Sequence, residues 1–174
     1  MLTPTGFKNF RAHLKGGGAL LAYEESDGMT VRGHTLDKDG ILAGLLALRI
    51  VLHYGRPLSA LAAELEAELG RYHYRQETFF IDMSAAEAHQ RLKKLAQYKP
   101  GDVFRAGPQD YPIRTVNAED GYRFGLDDGS WVMMRPSGTE PKVRIYAESR
   151  ESEEQTAVLC EAAKALALEA VAQP

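Results

Sequence analysis

Apolar side chains recur along this chain in two rhythms, helical in the first part and mostly alternating in the second. A short helix is expected from Phe7 to about Leu14, stopped by Gly16-Gly17-Gly18. Ala19-Leu20-Leu21-Ala22-Tyr23 is an apolar run between turn residues and predicts a short buried strand. The polar stretch from Glu24 to Asp39 carries no periodicity, and its Gly28 and Gly33 predict a loop. Ile41, Leu45, Leu48 and Leu52 then fall at helical spacing, with Leu42 and Leu46 widening the stripe, which predicts a helix buried on most sides. Pro57 opens a further helix and Gly70 closes it; Leu58, Leu61, Ala62, Leu65 and Leu69 form its apolar side.

Beyond Gly70 the texture changes. Tyr72 to Asp82 is rich in aromatic and β-branched residues and reads as a strand. Ser84-Ala85-Ala86-Glu87 is a capping box opening a helix that runs to about Tyr98, ahead of Pro100-Gly101. From Ile113 onward the pattern alternates. Tyr122, Phe124 and Leu126 face one way, Asp128-Gly129 marks a hairpin turn, and Trp131 to Met134 return. Val143, Ile145 and Ala147 give another strand, and Ser152 to Gln155 caps a last helix with the stripe Leu159, Ala163, Leu166 and Ala170. The expected fold is α+β. Residues 71–174 form a mainly antiparallel four-stranded sheet with two helices on one face, preceded by an incomplete α/β domain over residues 1–70.

Composition narrows the possible functions. The chain has 174 residues, with 21 Lys+Arg against 24 Asp+Glu spread evenly. A chain without a basic lobe is a poor general nucleic-acid binder. Cys160 is the single cysteine, so no internal disulfide or cysteine-based metal cluster can form, and a reducing, cytoplasmic setting is expected. The longest apolar stretch, near Ile41–Leu48, is far short of a membrane span, so no membrane partner is expected. His13, His53, His73 and His89 have no partners at metal-ligand spacing. Gly16-Gly17-Gly18 lacks the Gly-Lys-Ser/Thr that a P-loop requires.

One segment concentrates chemistry: Arg135-Pro136-Ser137-Gly138-Thr139-Glu140-Pro141-Lys142-Val143-Arg144, held between two strands. Arg135 offers a planar fork of donors matched to phosphate oxygens. Ser137 and Thr139 add hydroxyls, and Gly138 lets backbone N–H groups come close to an anion. Two prolines restrict the loop, so less entropy is lost on binding. Lys142 and Arg144 add positive potential against one acid, Glu140. A hairpin connection whose polar groups merely satisfy the turn is the plainer reading. The leading arginine and flanking prolines put phosphate binding ahead of it.

This ten-residue segment resembles the phosphate-binding loop in the fourth, C-terminal domain of the α-D-phosphohexomutases, the phosphoglucomutase and phosphomannomutase superfamily. Upstream segments follow in the order that resemblance requires. Thr3-Pro4-Thr5-Gly6-Phe7-Lys8 is similar to a third-domain segment whose lysine reaches the active site. Ala22-Tyr23-Glu24-Glu25-Ser26-Asp27-Gly28 is similar to the sugar-recognition loop usually written Gly-Glu-x-Ser-Gly, with Tyr23 and Asp27 standing where glycines are usual. Asp37-Lys38-Asp39-Gly40-Ile41 also fits the pattern that follows. Arg32 and His34 share this loop, although His34 reads most simply as an ordinary loop histidine.

The resemblance implies interconversion of hexose 1-phosphate and hexose 6-phosphate through a phosphoserine and a hexose 1,6-bisphosphate. It assigns substrate phosphate to Arg135, Ser137, Gly138 and Thr139, and sugar hydroxyls to Glu24 and Ser26. Lys8 is the implied catalytic contact, assisting proton or charge transfer. Mg2+ is implied for the full-length enzyme, held by an Asp-Gly-Asp loop. Neither that loop nor a Ser-His-Asn-Pro type nucleophile segment occurs here. The chain therefore reads as the end of domain 3 (residues 1–70) plus domain 4 (residues 71–174), inactive alone, with domains 1 and 2 of the same enzyme as its partners. A non-catalytic phosphosugar or phosphate sensor is the alternative, and a purely structural module a third.

Overall fold

The computed structural model describes residues 3–24 and 26–172, and the chain divides into two compact units, Met1–Leu69 and Gly70–Pro174.

In the first unit a 3-10 turn, Phe7–Phe10, runs into helix α1 (Arg11–Lys15). Phe7, Leu14 and Ala22 are buried together, with Phe10 and Leu36 packed against them. Strands β1 (Leu21–Tyr23) and β2 (Met29–Val31) pair antiparallel, with Ala22 opposite Thr30. The stretch expected to be loop from Glu24 to Asp39 is thus interrupted by β2, whose three residues are too few to reveal a period of two. The strand expected to be buried hides only Ala22, while Leu21 and Tyr23 face outward.

Asp39 caps helix α2 (Gly40–Tyr54), its carboxylate accepting from the N–H groups of Ile41 and Leu42 at 2.9 and 3.1 Å. Gly55 ends the helix in the left-handed region, φ 63°, donating to Val51 O. Helix α3 (Leu58–Leu69) follows. Neither α2 nor α3 contains a buried residue, which corrects the expected burial of α2. Helical spacing identifies an apolar face, but says nothing of whether a surface lies against it. Among the described residues no single helix is long and apolar enough to cross a membrane; α2 and α3 reach that threshold only together and are bent by 81°.

The second unit is a six-stranded antiparallel sheet, not a four-stranded one. Its elements are β3 (His73–Phe80), α4 (Ala85–Leu92), β4 (Val103–Ala106), β5 (Gln109–Asn117), β6 (Tyr122–Leu126), β7 (Trp131–Pro136), β8 (Lys142–Ser149) and α5 (Glu153–Ala172). The strand order is β3-β8-β7-β6-β5-β4. Helix α5 touches both edge strands, β3 and β4, so the sheet curls around it. Two side-chain caps start the helices: Ser84 Oγ accepts from Glu87 N at 3.2 Å, and Ser152 Oγ from Gln155 N at 3.0 Å.

Alternation along the strands builds the core. Phe124, Val132, Met134, Val143 and Ile145 point at α4 and α5 and are fully buried with Leu92, Leu95 and Leu159. The helix supplies small residues, Cys160, Ala163 and Ala167, that let it lie close to the sheet. The opposite face carries Trp131, Met133 and Arg135 on β7, interleaved with the buried positions.

Candidate functional site

Arg135 lies near the end of β7, and residues 137–141 connect that strand to β8. The connection is closed at its base by Ser137 N donating to Lys142 O at 2.9 Å. Ser137 Oγ accepts from Glu140 N at 3.1 Å and more weakly from Thr139 N at 3.4 Å. The loop thereby curls around its own hydroxyl, leaving that hydroxyl's hydrogen able to donate outward. Gly138 N–H has no protein acceptor among the described residues, and no atom beyond its own residue and chain neighbours lies within 4 Å of the position a Cβ would take there.

Charge is gathered around this loop. Arg135 and Arg144 stand directly opposite each other across β7 and β8. Like charges so placed oppose sheet pairing. Asp120 offsets part of this, with Oδ1 3.5 Å from Arg135 Nε, and the Tyr146 hydroxyl lies 3.5 Å from Nη1. The Arg135 side chain is 20% exposed, so its guanidinium is restrained but reachable. Lys142 pairs with Glu140; that hydrogen bond, then the charge of Lys142 and of Arg144, holds the Glu140 carboxyl below its ordinary value. Cations outnumber acids here on a chain that is net negative.

The residues expected to meet the sugar lie in the first unit. Glu24 and Ser26 sit in the five-residue connection between β1 and β2, whose Glu25 lies outside the described residues. Glu24 N donates to Gly28 O at 2.9 Å, and Asp27 N to Glu24 O at 3.0 Å. Asp27 adopts φ 65°, the left-handed region a glycine would take and one that aspartate tolerates. The turn therefore keeps a glycine-like conformation although Asp27 stands there. Ser26 is exposed.

Lys38 comes to this turn from 14 residues away. Its Nζ donates to Glu24 Oε2 at 2.8 Å, and its stem covers Gly28, where a Cβ would fall 2.5 Å from Lys38 Cδ. Lys38 pairs with Glu24 in a way that helical and strand spacing could not have disclosed. His34 Nε2 lies 2.8 Å from Asp39 Oδ2, and that bond, with the N–H of Leu42, holds the Asp39 carboxyl below its ordinary value. His34 thus supports a helix cap. Arg32 donates to Gly17 O at 2.8 Å. Lys8 is exposed on the 3-10 turn, and among the described residues it forms no ion pair with Glu24 and no hydrogen bond with Ser26.

So the structure brings Arg135, Ser137, Gly138 and Thr139 into one strand end and loop, and Glu24 and Ser26 into one turn. Asp120, Tyr146 and Lys38 complete these surroundings, each contributed by a distant stretch of chain. Among the described residues no group of three or more His, Cys, Asp or Glu side chains is placed to hold a metal ion. The described residues therefore do not fit magnesium.

An α+β unit with a hydroxyl-lined loop beside an arginine, following a unit of helices and a hairpin, matches known proteins over most of its length. Residues 1–69 match the family described as phosphoglucomutase/phosphomannomutase, alpha/beta/alpha domain III. Residues 83–166 match phosphoglucomutase/phosphomannomutase, C-terminal domain. The chain belongs to the phosphoglucomutase/phosphomannomutase family. It is 35% identical over 160 residues to a phosphoglucomutase of Komagataeibacter xylinus, covering 86% of this chain and 28% of that protein. It is 30% identical over 154 residues to a Haemophilus influenzae protein named "Probable phosphomannomutase", covering 85% of this chain and 31% of that protein. Among solved structures, the open form of the Paramecium phosphoprotein parafusin, a phosphoglucomutase, superposes with a TM-score of 0.65 at 27% identity, over 98% of this chain and 33% of that one. This chain thus spans about a third of the length of the relatives it matches.

Proposed function

We propose that this chain provides the phosphate- and sugar-recognition surfaces of a mutase that interconverts hexose 1-phosphate and hexose 6-phosphate. The phosphoserine and the magnesium loop come from domains 1 and 2 of the same enzyme, outside these residues. The observation that carries the reading is the loop at residues 137–141, curled beside a restrained guanidinium with an open Gly138 N–H and room above it. Gly138 is exposed, so a small dianion can reach its N–H.

Phosphoryl transfer depends on positioning and on charge stabilisation. A hexose bisphosphate intermediate must present each end in turn to the reacting centre, so its idle phosphate needs a fixed anchor in both orientations. Arg135 would bind that phosphate through its fork, with the Ser137 and Thr139 hydroxyls and Gly138 N–H donating to remaining oxygens. An anchor that grips the non-reacting end contributes binding energy to both half-reactions. Glu24, held by Lys38, would accept from sugar hydroxyls, with Ser26 beside it. Lys8 would approach the phosphosugar as a charge or proton partner.

The purified chain should bind glucose 1-phosphate in a calorimetric titration and show no conversion to glucose 6-phosphate. Arg135→Ala should weaken that binding by roughly 10- to 100-fold, as expected for charge-assisted hydrogen bonds. Absence of binding by the wild-type chain, or turnover by it, would count against the reading.

A further inference from the structure

Arg135 is held in its pose by a neighbour that ordinary electrostatics would exclude from an anion site. Asp120 lies in the turn between β5 and β6, with Oδ1 3.5 Å from Arg135 Nε. The adjacent Gly121 has φ 110°, and a Cβ there would stand 3.0 Å from Arg135 Cβ, from Met134 O and from Met133 Cε. Only glycine allows this turn to rest on β7 at Arg135. The carboxylate is thus brought to the Nε edge of the guanidinium, while the Tyr146 hydroxyl, on a side chain only 5% exposed, lies at Nη1. Asp120 and Tyr146 thus approach Nε and Nη1, and among the described residues Nη2 carries no hydrogen bond.

A carboxylate here carries an electrostatic cost for anion binding. By Coulomb's law alone its removal should tighten binding of a phosphate. Arg144 stands directly opposite Arg135, and a like charge there disfavours a fixed guanidinium pose unless something restrains it. A long side chain that must be ordered on binding weakens affinity by the entropy lost.

We infer that Asp120, seated by Gly121, is a positioning residue: it pre-orders Arg135 for phosphate, and this outweighs its repulsion of the ligand. The inference rests on the phosphate-binding reading of the loop and adds to it the device that orients the loop's arginine.

The test compares wild type, Asp120→Asn, Asp120→Ala and Arg135→Lys in the full chain. Glucose 1-phosphate affinity is measured by calorimetry, and the order of Arg135 from its Nε–Hε resonance without ligand. Fluorescence of Trp131, the single tryptophan, checks that each variant is folded. Both Asp120 variants should bind about tenfold more weakly, the cost of ordering one long side chain. Their Nε–Hε resonance should show averaging that the wild type lacks. Equal or tighter binding by the Asp120 variants, or an unchanged Nε–Hε resonance, overturns the positioning role while leaving the phosphate reading intact, provided Arg135→Lys binds weakly. A wild-type chain that does not bind overturns both.

Discussion

The two units dispose of their apolar side chains in opposite ways. In the second, Phe124, Val132, Met134, Val143, Ile145 and Leu159 are fully hidden between a curled sheet and two helices. In the first, α2 and α3 have no buried residue, and Ile41 and Leu52 are 79% and 73% exposed. Both sets of elements carry helical or alternating apolar stripes. The difference lies in what is available to cover them. Six strands can cover α4 and α5, whereas two strands of three residues each cannot cover helices of 15 and 12 residues. A large exposed apolar face marks a surface built for contact. The second unit therefore carries its own stability, and the first is stabilised mainly by its small cluster around Phe7, Leu14 and Ala22.

Matched truncations probe that contrast most strongly. Phe124, whose ring meets Tyr98 at 5.0 Å and Phe104 at 6.4 Å, should cost about 3–5 kcal/mol when changed to Ala. The same lesion at exposed Ile41 should change stability by less than about 0.5 kcal/mol. Denaturant titration of both variants checks this, and comparable losses would erase the distinction between the units.

Alkaline pH should act selectively on the second unit. Burial pushes the Cys160 thiol up from its ordinary 9.0 to about 11. Because the folded state holds this proton more tightly, its contribution is complete below pH 9.0 and is lost as the pH rises through about 11. Burial raises Tyr122 as well, in the same sense. Melting temperature followed from pH 8 to 11 should fall, and Cys160→Ala should reduce the fall; an identical slope in that variant would contradict the assignment. Smaller again is the cap. Ser84→Ala should cost about 1 kcal/mol in the second unit. Asp39→Ala, the corresponding lesion in the first, should reduce α2 helicity by circular dichroism without moving the second unit's transition.

Much of this was legible from residue spacing, and the failures share a cause. Ser84 and Glu87 announced α4, and Asp128-Gly129 joins β6 to β7 where a hairpin was expected. The Arg135–Thr139 segment lies at a strand end and in the following loop, as its neighbours implied. Strands β2 and β4 escaped because they are three and four residues long, and β5 carries Pro112 and a register shift between Ile113 and Thr115. Burial of α2 was misjudged because a stripe reports chemistry without reporting a partner. Asp120, Tyr146 and Lys38 were missed for a related reason: each reaches its site through pairing or a turn far along the chain. The Arg135–Arg144 opposition likewise exists only once β7 and β8 are in register.

The phosphate-binding role depends most directly on the loop's capacity to take a small anion. Adding inorganic phosphate to the 15N-labelled chain at pH 7 should shift the backbone amides of Ser137, Gly138 and Thr139 progressively and saturably. Arg135→Ala should abolish these shifts while leaving the spectrum of the second unit's core unchanged. Amides at residues 137–139 that stay still, or that shift equally without Arg135, would show that this loop is no phosphate site.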